Sequence, residues 1–256
     1  MNLSGNTIFI TGGGSGIGLV LARQFHQRGN QVIIAGRRKA NLDAATAANP
    51  GMKSIVLDTA DAASIAAAVP KLSAEFPALN VVVNNAGIMR PEDLKQAKVA
   101  DAEAIVATNL LGPIRITAAL LPHLLRQPGA TIVNVSSGLA FVPLAMTPTY
   151  CSTKAAIHSY SQSLRYQLKD TGIKVLEIIP PWVATELMGP VPDDPRAMPL
   201  DQFVAETMEI LSTGAEEICV QNVMFLRNAA KGDEAAIFKT FNDRMSQSAS
   251  HAGRTE

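Results

Sequence analysis

Six short runs rich in β-branched and aliphatic residues recur along this chain, and most lead into a longer stretch with helical spacing. No other feature constrains the fold as strongly. The runs are Thr7–Thr11, Gln31–Ala35, Lys53–Leu57, Asn80–Val83, Thr131–Val135 and Ile173–Ile179. They are nearly continuous in apolar side chains, whereas a strand with one wet face would alternate. Strands buried on both faces require helices above and below. The expected fold is therefore α/β, a doubly wound, Rossmann-like parallel sheet. Helices are expected near 17–28, 61–75, 101–126 and 149–170. No linker, repeat or low-complexity tract divides the chain, so one domain is expected over 1–256. The proline-rich stretch Pro190–Pro199 reads as a flap, with 186–212 as a small helical substrate lid. Residues beyond 213 resist assignment, and 245–256 are expected to form a disordered tail.

Composition supports an enzyme-like body. The chain has 256 residues, 47% of them hydrophobic and 17% charged, enough to bury a core without disulfides or a partner. Lys plus Arg and Asp plus Glu both number 22, which argues against a nucleic-acid partner. That balance hides an asymmetry. Residues 1–42 carry Arg23, Arg28, Arg37, Arg38 and Lys39 and no acid, while residues 186–217 carry eight acids against Arg196 alone. Cys151 and Cys219 offer no disulfide framework, and His26, His123, His158 and His251 stand at no metal-ligand spacing. No metal is expected. The uncharged runs are broken by glycine, proline and polar residues, so neither a signal peptide nor a membrane span is expected. A soluble, cytoplasmic protein follows as the expectation.

Thr11-Gly-Gly-Gly-Ser-Gly-Ile-Gly18 closes the first strand and opens a helix. Glycines allow a tight turn and close approach of the backbone to a pyrophosphate, which the helix N–H groups stabilise. Gly12, Gly14, Ser15, Gly16, Ile17 and Gly18 are thus cofactor-binding candidates. A site for NAD places an acid at the end of the second strand. Here stand Arg37 and Arg38, suited to a ribose 2′-phosphate, and NADP is favoured over NAD. The alternative is that both arginines merely begin a solvated helix. Asp58, ending the third strand, either accepts from an adenine amino group or serves as a turn acid.

Tyr150 and Lys154 lie four residues apart and share one helix face. A nearby cation stabilises a phenolate, so the pair can exchange a proton with a carbonyl or alcohol oxygen. Ser137 follows the fifth strand, Asn84-Asn-Ala-Gly87 follows the fourth, and Asn109 sits in the next helix, where Asn109-Leu-Leu-Gly-Pro113 should disturb the turn. Together with the glycine loop, these motifs resemble the short-chain dehydrogenase/reductase family, in its compact single-domain branch, over about residues 5–185. The resemblance implies Tyr150 as general acid/base, Lys154 as its charge partner and holder of the nicotinamide ribose, and Ser137 as polariser of the substrate oxygen. It also implies that Asn109 holds a water in the proton relay and that Asn84, Ala86 and Gly87 line the cofactor cleft and brace the sheet. Ser136, the neighbouring serine, is assigned to the strand end.

Two departures stand out. The family usually has Pro-Gly after the sixth strand and then a threonine reaching the cofactor; this chain reads Pro180-Pro181-Trp182-Val183-Ala184-Thr185. The family's C-terminal strand with a Gly-Gly ending is missing, which puts a tetramer in doubt and leaves a homodimer through the helices near 101–126 and 149–170. Phe141, Leu144, Trp182, Leu187 and Met188 are candidate walls of a substrate pocket; for Trp182 the alternative is ordinary core, and the pocket wall is favoured. Such a lining suits a hydrophobic carbonyl or alcohol. The expected activity is interconversion of a secondary alcohol and a ketone or aldehyde. The alternative is a catalytically silent cofactor-binding sensor or scaffold. A nucleotide-sugar epimerase would need more chain after Thr185.

Overall fold

The computed structural model describes residues 1–96, 99–190 and 194–229, together with Ala236, Thr240, Phe241, Asp243 and Arg244. Seven parallel strands form one sheet in the order β3-β2-β1-β4-β5-β6-β7. They are β1 (Thr7–Thr11), β2 (Gln31–Gly36), β3 (Lys53–Val56), β4 (Leu79–Asn84), β5 (Thr131–Val135), β6 (Lys174–Ile178) and β7 (Glu217–Ile218). The strand order reverses between β1 and β4, so a crevice opens at their C-terminal ends, the place where open α/β sheets bind ligands.

Both faces of the sheet are covered at β1, β2, β4, β5 and β6, as the continuous apolar runs require, whereas β3 at the edge is largely exposed. Within β1, Ile8 and Ile10 join one core and Phe9 the other. The first core is closed by α1 (Gly16–Gln27), by α2 (Lys39–Ala48) and by α7 (Leu200–Ser212). The second is closed by α3 (Ala62–Glu75), α5 (Gly112–Leu124) and α6 (Pro148–Leu168).

Between α4 (Ala100–Val106) and α5 the helix widens into a π turn at Ala107–Leu111. Pro113 has no N–H to offer the carbonyl of Asn109 four residues back, so a regular α-helix cannot run through this point. Gly112 lets the turn press against the loop after β3; a Cβ there would stand 2.6 Å from the Thr59 carbonyl. By length and composition, the stretch Ala100–Leu124 is apolar enough to cross a membrane. Its buried residues Ile105, Ile116, Leu120 and Leu124 are instead spent on the protein core.

Two sequence expectations need correction. The helical part of the lid is not a lid: Phe203, Val204, Thr207, Met208 and Leu211 of α7 form one buried stripe packed into the first core. Only the irregular segment around the 3₁₀ turn Glu186–Met188 remains over the cleft. A seventh strand exists, although it is two residues long and lacks the Gly-Gly ending; Glu217 pairs with Glu177 and Ile218 with Ile178. After it come a 3₁₀ turn, Gln221–Val223, and α8 (Met224–Ala229). The expected tail at 245–256 lies outside the described residues.

Candidate active site

A cleft of about 930 Å³ runs along the C-terminal ends of β1, β4 and β5. Its floor is the turn from β1 into α1. Gly12 and Gly16 have positive φ, 66° and 53°, which only glycine adopts at little cost. Gly18 is needed for packing instead: a Cβ there would meet the Gly12 carbonyl oxygen and Asn85 Nδ2, each at 2.4 Å. Ser15 is the N-cap of α1 but its side chain does not cap the helix. Its Oγ accepts a hydrogen bond from Arg38 Nη2 at 3.2 Å. The first amides of α1 and the Arg38 guanidinium therefore converge on the glycine loop. Gly12, Gly14, Ser15, Gly16, Ile17, Arg37 and Arg38 all line the cleft, while Gly18 lies beneath it. Open glycine surface, helix amides and a guanidinium form a donor set suited to a dinucleotide with an added phosphate.

The second wall comes from the loop after β4. Thr11 Oγ1 accepts from the amides of Asn85, at 3.1 Å, and Ala86, at 3.0 Å. Asn85 Nδ2 donates back to the Thr11 carbonyl at 2.9 Å. Asn85 is thus the side chain that ties the two loops together, a role the sequence did not single out. Ala86 and Gly87 line the cleft as expected. Asn84 does not. It is buried between strands, donating to Asn134 Oδ1 at 2.9 Å and Thr117 Oγ1 at 3.2 Å, and it braces the sheet only. Asp58 is also absent from the cleft wall, which Leu57 and Thr59 form instead. Its Oδ1 accepts from the Ala60 amide at 2.9 Å, the geometry of a turn acid.

The strand end of β5 and the face of α6 bring Ser137, Tyr150 and Lys154 to one place in the cleft. Ser137 caps the 3₁₀ turn Gly138–Ala140, accepting from the Leu139 amide at 3.1 Å, and is hydrogen-bonded to the Tyr150 phenol. Lys154 donates to the Val135 carbonyl at 2.7 Å, and its Nζ stands 5.5 Å from the centre of the Tyr150 ring. Burial drives the Tyr150 phenol well above its ordinary value, and the Ser137 hydrogen bond works against that rise. Burial likewise pulls Lys154 down to about 8, while the charge of Glu177 opposes the fall. The sequence led us to expect a phenol eased down by the ammonium. In this structure burial sets the direction, and what opposes it is the Ser137 hydrogen bond rather than the ammonium.

Asn109 sits one layer behind the cleft. Its Oδ1 accepts from the Ile88 amide and its Nδ2 donates to the Ile88 carbonyl, both at 2.9 Å. The side chain is therefore spent on fixing Ile88, which does line the cleft.

Beyond Tyr150 the cleft becomes mostly apolar, with Glu186 and Arg196 as charged members of its lining. Leu144, Trp182, Leu187 and Met188 line it as expected, and so does Thr185 nearer the glycine loop. Trp182 is a half-exposed wall with the Arg196 guanidinium 5.4 Å from its ring centre. Phe141 is not a wall. It packs edge-on against His158 at 4.8 Å and lies under the Arg227 guanidinium at 4.7 Å. The residues missed were those from the chain's end: Asn222, Phe225, Leu226 and Phe241 complete this half of the cleft. Gly138 makes their approach possible, since a Cβ there would come within 2.7 Å of both Leu226 and Val223.

Residues 6–196 match the model of the family described as short chain dehydrogenase. The chain is 40% identical over 249 residues to the uncharacterised oxidoreductase DltE of Bacillus subtilis, covering 94% of this chain and 98% of that one. Among solved structures, a short-chain dehydrogenase from Sphingobium yanoikuyae in complex with NADPH superposes with a TM-score of 0.80 at 26% identity, over 91% of this chain and 95% of that one. A serine dehydrogenase complexed with NADP+ is 32% identical, with a TM-score of 0.67 over 71% and 74% of the two chains. The glycine loop, the serine, tyrosine and lysine at the mouth of β5, and these matches agree: this chain belongs to the short-chain dehydrogenase family of oxidoreductases.

Proposed function

We propose that this protein is an NADP-dependent oxidoreductase that interconverts a secondary alcohol and a ketone or aldehyde on a hydrophobic small molecule. The observation that carries the reading is the convergence of Ser137, Tyr150 and Lys154 in the same cleft as the glycine loop. A nicotinamide, when bound, supplies or accepts the hydride. The chain's own residues would do the rest. Gly12 to Ile17 and the start of α1 would hold the pyrophosphate, and Arg38, already drawn onto Ser15, would meet a 2′-phosphate. The NADPH and NADP+ in the two related structures support the same choice.

Tyr150 would give its phenolic proton to the carbonyl oxygen in reduction and take it back in oxidation. Burial holds the phenol above its ordinary value, so it is protonated at neutral pH but reluctant to part with that proton, and the ammonium of Lys154 beside it would have to supply the stabilisation of the phenolate. Ser137 would donate a hydrogen bond to the same substrate oxygen, and Lys154 would stabilise the phenolate left behind. The apolar wall of Leu144, Trp182, Leu187, Met188, Phe225 and Leu226 would exclude water and select an uncharged, bulky substrate.

The test is a panel of aliphatic and aromatic ketones and their alcohols, followed by NADPH absorbance and repeated with NADH. Turnover of hydrophobic carbonyls with a clear NADPH preference supports the reading. Equal or better use of NADH removes the NADP assignment, and binding of NADPH without turnover of any compound would favour the silent sensor.

A further inference from the structure

Lys154 poses an electrostatic problem. The mechanism needs it charged, yet it is only 5% exposed, and among the described residues no carboxylate lies within ion-pair distance of its Nζ. Its ammonium donates to a neutral carbonyl, that of Val135. A buried ammonium with no counter-charge loses its proton readily.

The counter-charge lies one strand away. Glu177 of β6 is fully buried, at 0% exposure, and opposes Asn134 across the β5–β6 ladder. Its carboxylate accepts from Ser136 Oγ at 2.5 Å and meets His158 Nδ1 at 2.9 and 3.1 Å. Ser136 follows Val135, whose carbonyl holds Lys154. His158 stands one helical turn beyond Lys154 on α6. The carboxylate therefore grips both elements that place the lysine. The other charged groups near it are already matched. Glu217 of β7 is engaged by Arg227 of α8 at 2.9 Å, and Glu216 by Arg165 of α6 at 3.2 Å. Cys219 is held in its neutral thiol form by burial and by Glu217. His158 Nδ1 and the carboxylates of Glu177 and Glu217 hold potential ligand atoms within 4.8 Å of one another, but these existing bonds mark a charge network rather than a vacant ion site.

We propose that Glu177 is a positioning residue that keeps Lys154 protonated and, through Ser136 and His158, fixes the end of β5 and the face of α6 that aim it. This rests on the reading of Lys154 as a catalytic cation. A neutral residue of the same shape could make the same clamp, so only the charge distinguishes this role from packing. The charge also acts in the direction the site requires: among the described residues, the carboxylate of Glu177 is what favours the charged form of Lys154 against burial.

The decisive experiment titrates Lys154 in the protein without cofactor, by lysine-selective ¹³Cε NMR, with the resonance assigned by its loss in Lys154→Arg. In Glu177→Gln the midpoint should fall by about one pH unit from that of the unsubstituted protein. The alkaline limb of kcat should move down with it, with about a fivefold loss at pH 8 and little change in substrate KM. Glu177→Asp, which keeps the charge, should restore most of both. An unchanged midpoint in Glu177→Gln, or equal effects of Gln and Asp, would overturn the proposal. If Glu177→Gln does not fold, the unsubstituted protein decides: a Lys154 midpoint at or below about 6, as for a buried lysine with no counter-charge, overturns it. Turnover that survives Tyr150→Phe would sink the catalytic reading alone, because the titration reports the Glu177–Lys154 coupling whether or not the enzyme turns over.

Discussion

The two halves of the cleft are built from different materials. The half floored by the glycine loop is made of backbone: turns with positive φ, helix amides, and a threonine and an asparagine knitting β1 to β4. The apolar half is made of side chains sent from Leu144, Trp182, Leu187 and α8, elements far apart in sequence. A backbone site tolerates little change in shape, so it suits a ligand that is always the same. A side-chain site can be rebuilt one residue at a time, so it suits a ligand that varies among relatives. Tyr150 stands at the seam.

Removing the seam residue should have the largest effect. Tyr150→Phe deletes the exchangeable proton while keeping the ring, and turnover should fall by on the order of 10²–10⁴-fold. NADPH binding, read by quenching of protein fluorescence, should be nearly unchanged. If both fall together, the halves are not separable at this point and Tyr150 is a cofactor residue first.

The next test bears on the backbone half. Arg38 reaches the glycine loop through its hydrogen bond to Ser15. Arg38→Ala should weaken NADPH by about 1.5–3 kcal/mol, the cost of a lost charge-assisted hydrogen bond, or roughly 10- to 100-fold. NADH should be almost unaffected, as should the KM for substrate. Equal losses for both cofactors would mean that Arg38 holds the loop in shape rather than reading the 2′-phosphate.

The same contrast explains what could be read from sequence. The backbone half was legible because its demands fall on residue type at fixed spacing. Gly12 and Gly16 must adopt positive φ, Gly18 must admit Asn85, and continuous apolar strands must be covered on both faces. Tyr150 and Lys154 were legible because helical spacing alone puts them together. The rest depended on direction. Phe141 neighbours the site in sequence yet turns towards His158 and Arg227, and Asp58 ends its strand but closes a turn. The helix α7 follows a proline-rich acidic stretch that looks like a lid, and only its stripe from Phe203 to Leu211 betrays the core helix. Asn222, Phe225 and Leu226 carry no motif; they reach the cleft because β7 extends the sheet and Gly138 leaves room for them. Glu177 gave no signal beyond being an acid in an apolar strand. That was an available clue, since buried acids are rarely without a partner.

The smallest effect belongs to the apolar half and is the sharpest test of its independence. Phe225 lines the cleft and is 62% exposed, so a bound substrate that covers about half of that open face removes roughly a third of the ring from water. Full burial of such a side chain contributes about 1.5–3 kcal/mol, so Phe225→Ala should cost a hydrophobic substrate roughly 0.5–1 kcal/mol, or about two- to fivefold in kcat/KM. The loss should appear for bulky substrates and vanish for small ones that do not reach α8. NADPH affinity should stay constant, because α8 meets the cleft at Gly138, on the substrate side. Thermal stability should barely move, since the exposed ring adds little to either core. A uniform loss across substrates of every size would show instead that α8 acts through Gly138 on Ser137, tying the two halves together through the catalytic turn.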